Sequence, residues 1–110
     1  MVLLLDYVWA KVEGVRVTVG LKRAFVAANP IGFVELRPVG SEVQAPSEGE
    51  DGIPFGLAVR VVGREFELDS PVSGRVVAIN ECVNCVDNPV VLKTDPEGDG
   101  WLAIIEISSL

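Results

Sequence analysis

Apolar and polar residues alternate along much of this chain. Val15, Val17 and Val19 share one parity, with Arg16 and Thr18 between them. A strand sends successive side chains to opposite faces, so this stretch reads as a strand with one buried face. With residues 7–12 before it, the pattern predicts a hairpin turning at Glu13 and Gly14. The period then changes. Leu21, Ala24, Phe25 and Ala28 fall at i, i+3, i+4 and i+7, one face of a short helix. Asn29 and Pro30 end it, since Asn tolerates a left-handed terminus and Pro has no N–H for the helical ladder.

Alternation resumes over residues 32–37, where Val34 and Leu36 oppose Phe33 and Glu35, and Pro38-Val39-Gly40 makes a turn. Residues 44–54 (QAPSEGEDGIP) form an acidic surface loop. Residues 57–62 and 64–68 predict a second hairpin, with Gly63 supplying a positive φ in its turn. Phe66 and Leu68 point one way; Glu65, Glu67 and Asp69 point the other. Ser70-Pro71-Val72-Ser73-Gly74 turns the chain into a strand over 75–79. Residues 88–93 suggest a helical turn capped by Asp87 or Asn88, with Pro89 in its first turn. A tight loop over 95–100 leads to a last strand over 101–107. Short strands, frequent turn signals and two helical turns predict an all-β sandwich or small barrel.

A length of 110 residues fits one domain spanning 1–110. The formal charge of -7 repels phosphate backbones, so nucleic acid is excluded as a partner class. The apolar start (Met1 to Leu5) is too short for a signal peptide and lacks a basic leader, and no run spans a membrane. A cytoplasmic protein is expected. Histidine is absent, which removes the commonest general base and the commonest metal ligand.

Cys82 and Cys85 form a CxxC pair. Such a pair serves as a structural disulfide or buried thiols, as a redox dithiol, or as half of a zinc site. Zinc takes about four ligands, and with no histidine and no second pair a site within one chain is disfavoured. Glu65, Glu67 and Asp69 share a strand face, a pattern that usually marks a solvated edge and discourages sheet-to-sheet pairing. The loop from Asp95 to Asp99 has too few ligands at calcium-loop spacing. No metal site is expected.

Three separated stretches resemble the glycine-cleavage H-protein family. They are residues 9–14 with 17–21; residues 31–40 (IGFVELRPVG); and residues 70–77 continuing to Asp87-Asn88-Pro89 and 95–102 (DPEGDGWL). The resemblance implies a barrel-sandwich hybrid, the lipoyl/biotinyl-domain architecture, with two short helices. It implies a carrier, not an enzyme, whose lipoyl arm hangs from a lysine at a hairpin tip and visits glycine decarboxylase and its companions. That lysine stands seven residues before the Ser-Pro-Val-Ser-Gly turn, which here is Gly63; counted from the Gly56 side it is Val62. Neither side chain forms the amide. No lysine occurs between Lys22 and Lys93, and the guanidinium of Arg60 or Arg64 is no substitute. The acidic loop and the segment carrying the cysteines are also longer than the family pattern.

The expected function is therefore that of an H-protein-like chain without lipoate or any other cofactor. It would act as a binding or regulatory module for glycine decarboxylase or other lipoate-dependent enzymes, docking through the hairpin residues Arg60, Val62, Gly63, Arg64, Glu65 and Glu67. The alternatives are a small thiol-redox protein using Cys82 and Cys85, or a purely structural subunit.

Overall fold

The computed structural model describes residues 5–107. The start of the apolar run, Met1 to Leu4, lies outside them. Eight strands and two short helices follow in the order β1 (Val8–Glu13), β2 (Arg16–Leu21), α1 (Arg23–Ala28), β3 (Ile31–Leu36), β4 (Glu42–Val43), β5 (Gly56–Arg60), β6 (Glu65–Leu68), β7 (Gly74–Ile79), α2 (Val90–Thr94) and β8 (Ala103–Ile107). They make two antiparallel sheets, one five-stranded in the order β1-β2-β8-β7-β4 and one three-stranded in the order β3-β5-β6. The all-β sandwich expected from the alternation is present.

The core lies between the sheets. Val17, Val19, Ile105 and Val76 from the larger sheet join Val34, Ala58 and Leu68 from the smaller, with Phe55 among them. Each but Phe55, which lies just before β5, comes from the buried parity of its strand, so alternation that is local in sequence becomes a shared apolar layer. Trp9 lies opposite Gly20 across β1 and β2. A Cβ at Gly20 would sit 2.6 Å from the Trp9 ring, so only glycine lets the indole lie flat there. The indole N–H then donates to the Pro96 carbonyl at 2.9 Å, tying the 95–100 loop to the first hairpin.

Several local expectations are corrected. Glu13 pairs with Arg16, so the first turn is Gly14-Val15; Val15 is exposed and leaves the buried face of Val17 and Val19. Strand β2 runs through Leu21, so α1 begins only at Arg23. Its core-facing residue is Val26, and Ala24 and Ala28 are exposed. Asn29 ends the helix without a left-handed φ (-134°); instead its side-chain amide donates to the Phe25 carbonyl at 3.1 Å. Neither Asp87 nor Asn88 caps α2. Pro89 is its N-cap, while Asn88, at φ +47°, donates its N–H to the Gly32 carbonyl at 2.7 Å. The acidic loop is more ordered than its composition suggests. Gln44 pairs with Ile53 and Ser47 with Glu50, making a small ladder. Strand β4 has no counterpart in the pattern because two residues carry no period.

Candidate functional site: the hairpin tip and its edge

The hairpin of β5 and β6 is built by register. Gly56 faces Leu68, Ala58 faces Phe66 and Val59 faces Glu65. The last rung is Arg60 N–H to the Arg64 carbonyl at 2.8 Å, leaving Val61-Val62-Gly63 as the loop. Within it the Gly63 N–H donates to the Arg60 carbonyl at 2.7 Å, and Gly63 has φ +88°. A tight turn closed by a left-handed residue is a common three-residue hairpin connection. Glycine belongs there because a side chain in that conformation is strained, although nothing within 4 Å would collide with a Cβ. The tip is fixed to the body by the Val61 N–H, which donates to the Pro30 carbonyl at 2.9 Å.

What the tip presents is apolar. Val61 is 63 % and Val62 83 % exposed. The alternation predicts a strand through Val62, but β5 ends at Arg60, and the three-residue loop turns outward both Val62 and Val61, the latter absent from the set named from sequence. Gly63, Arg64, Glu65 and Glu67 are exposed as expected. Arg60 is not at the tip surface. It folds back over the Phe66 ring, 5.2 Å from the centroid, and its Nε is buried without a hydrogen-bond partner among the described residues.

Behind the tip, Tyr7, Phe25 and Phe66 form an aromatic cluster with centroid separations of 5.2, 6.1 and 5.6 Å. With Arg60 and Glu67 they line a shallow cavity of about 300 Å³. The Tyr7 hydroxyl accepts from the Asp69 N–H at 3.0 Å and donates to the Glu67 carbonyl at 3.4 Å. Sequence reading missed this cluster, since nothing local brings Tyr7 to a strand 60 residues away.

Burial, reinforced by the Asp69 carboxylate, pushes the Tyr7 phenol up to about 12 from an ordinary 10.0. The neutral phenol is the folded-state form. Its contribution to stability is fully present below the unfolded value near 10.0 and is lost as pH rises through the folded value near 12. The chain has one tyrosine, so ultraviolet titration of tyrosinate reads Tyr7 alone. The expected midpoint is near 12 in the native protein and near 10 in denaturant; equal midpoints would contradict the half-buried, hydrogen-bonded hydroxyl.

The cysteine segment has a structural role that spacing did not reveal. It runs along the free edge of β3. The Cys85 N–H donates to the Val34 carbonyl at 2.7 Å, and the Leu36 N–H donates to the Asn84 Oδ1 at 2.8 Å. Val83 is fully buried beneath it. Both thiols face outward, free and exposed, with Cys85 at φ +58°, so the buried-thiol expectation does not hold. Among the described residues no group of three or more potential ligands is placed to hold a metal. No helix there is long and apolar enough to cross a membrane.

A sequence model described as "Glycine cleavage H-protein" matches residues 4–110. The chain belongs to the glycine cleavage H-protein family. It is 36 % identical to the glycine cleavage system H protein of Myxococcus xanthus over 104 residues, covering 94 % of this chain and 74 % of that relative. Identity to the corresponding protein of Rubrobacter xylanophilus is 39 % over 101 residues, 91 % of this chain and 73 % of that one. The crystal structure of a glycine cleavage system H protein from Mycobacterium marinum superposes with a TM-score of 0.77 at 28 % identity. That superposition covers 98 % of this chain and 84 % of that one, and it supports the barrel-sandwich architecture. An H-protein is a carrier and not itself a catalyst, in line with the expectation that this chain is no enzyme.

The family implies a lipoyl group, and the hairpin does not fit one. Its loop is Val61-Val62-Gly63, flanked by Arg60 and Arg64, and it holds no primary amine. The position closing the turn has the backbone conformation that glycine prefers.

Proposed function

We propose that this H-protein-family chain is a non-lipoylated docking module that binds glycine decarboxylase or another lipoate-dependent enzyme without covalent chemistry. The observation that carries this reading is the tip: a tight turn closed by Gly63 at φ +88°, bearing exposed Val61 and Val62 where an arm would otherwise be anchored. Large exposed aliphatic side chains on a pinned loop favour a protein partner. Burying both on a partner supplies about 2–3 kcal/mol by area, enough to decide whether a complex persists. We place the module in the cytoplasm with such enzymes and treat residues 1–110 as one unit. One continuous core cluster supports that unity.

The test is affinity capture from native lysate with the wild-type chain and a Val61→Ser/Val62→Ser variant. The wild type is expected to recover a lipoate-dependent enzyme, and the variant about tenfold less. Equal recovery by both would remove the tip from the interface.

A second reading rests on a separate observation: both CxxC thiols are free and solvent-facing. They would then cycle between dithiol and disulfide by exchange with a partner disulfide. A purely structural subunit remains the third reading, and nothing at the tip favours it.

A further inference from the structure

We propose that the outer edge of β6 is a strand-pairing edge for an extended segment of the partner with the pattern basic–apolar–basic. This rests on the docking reading of the hairpin and names how that docking is made. The smaller sheet has two edges, β3 and β6. The β3 edge is closed by the cysteine segment, through Asn84, Cys85 and Asn88. The β6 edge is only partly closed. Arg60 bonds Arg64, and the register continues from there through Ala58 opposite Phe66 and Gly56 opposite Leu68. In an antiparallel ladder the intervening residues turn their N–H and C=O groups away from the partner strand, so those of Glu65 and Glu67 point outward. The Tyr7 hydroxyl occupies the lower end, meeting the Glu67 carbonyl and the Asp69 N–H. That leaves the Glu65 N–H, the Glu65 carbonyl and the Glu67 N–H with no partner among the described residues.

Side chains set what this edge accepts. Glu65 and Glu67 stand on the same outer face, exposed, and neither forms an ion pair among the described residues. Beside them the face carries half-buried Leu57 and Val59 and a third carboxylate, Glu35. A second copy pairing edge to edge would bring these carboxylates against their own kind, which is destabilising. A strand with lysine or arginine on its outer face meets opposite charges at cross-strand distance. Its alternate residues fall on the other face, along half-buried Phe66 and the aromatic cluster, where apolar side chains fit. The formal charge of -7 favours the same partner sign at long range.

The experiment is amide hydrogen exchange by NMR on the whole chain. The probe is a synthetic peptide of about seven residues alternating lysine and valine, compared with a glutamate–valine counterpart. The lysine–valine peptide is expected to slow exchange at Glu65 and Glu67 by about tenfold or more. In a Glu65→Lys/Glu67→Lys variant the glutamate–valine peptide is expected to take over that protection. Binding that scatters over the acidic loop without protecting these two amides would overturn the proposal. So would amides already protected in the free chain, because the edge would then be covered by the protein itself. Partner capture separates this inference from the reading it rests on. Capture lost in the Val61→Ser/Val62→Ser variant but intact in the charge-reversal variant leaves the docking module standing and removes the edge. Failure of capture by the wild-type chain removes the module, and the exchange data then decide the edge alone.

Discussion

Phe55→Ala is expected to lower stability by about 3–5 kcal/mol, the range for deleting a large buried aromatic side chain. Phe55 is 0 % exposed and is the largest fully buried side chain of the core. Its backbone, which alanine retains, also ties the hairpin in place: its carbonyl accepts from the Arg37 N–H at 3.0 Å and its N–H donates to the Leu68 carbonyl at 2.9 Å. It therefore joins the end of β3 to the base of β6. A domain of this size holds about 5–15 kcal/mol in total, so the loss is a large fraction of its stability. Urea unfolding followed by tryptophan fluorescence measures the loss. A cost under about 1 kcal/mol would show that the space collapses and that Phe55 is not the anchor of the hairpin.

Asn80→Ala is the second large effect, about 3 kcal/mol, and its cause is polar. Asn80 is 6 % exposed. Its side-chain amide donates to the carbonyls of Asp99 and Trp101 at 2.9 and 2.8 Å, and its Oδ1 accepts from the Cys82 N–H at 3.1 Å. Alanine leaves two carbonyls and one amide without their partner at part-buried positions, and an unmet polar group shielded from water costs more than a typical hydrogen bond contributes. The Asn80 backbone carbonyl also accepts from Val83 and Asn84, so the residue organises the turn that seals the edge of β3. A local signature should accompany the global loss. Amide exchange at Cys85 and Asn88 should accelerate before the rest of the sheet opens. Uniform acceleration would mean that Asn80 acts on the whole fold and not on that seal.

Regular alternation was the readable part of this fold. Val17 and Val19 in β2, Val34 and Leu36 in β3, and Phe66 and Leu68 in β6 all take the buried parity that their spacing assigns. Errors arose where two elements meet. Counting Leu21 into a helix mixed a strand residue with helical ones and rotated the expected face away from Val26. Asp87 and Asn88 looked like caps because their side chains suit that task, yet Asn88 is occupied in sealing β3. At the candidate site, the family resemblance pointed to Gly63, and Gly63 has the positive φ its turn requires. Two features were out of reach. Arg60 turns inward because Phe66 offers it a ring face, and Tyr7 meets β6 only through tertiary packing. The openness of the β6 edge follows from strand order, which alternation does not encode.

This H-protein-family chain is expected to carry no lipoyl arm. Incubating the purified protein with lipoate ligase, lipoate and ATP, then measuring intact mass, tests it most directly. An unchanged mass is expected under conditions that fully modify a lysine-bearing H protein. A gain of one lipoyl group per chain, on Lys11, Lys22 or Lys93, would contradict it.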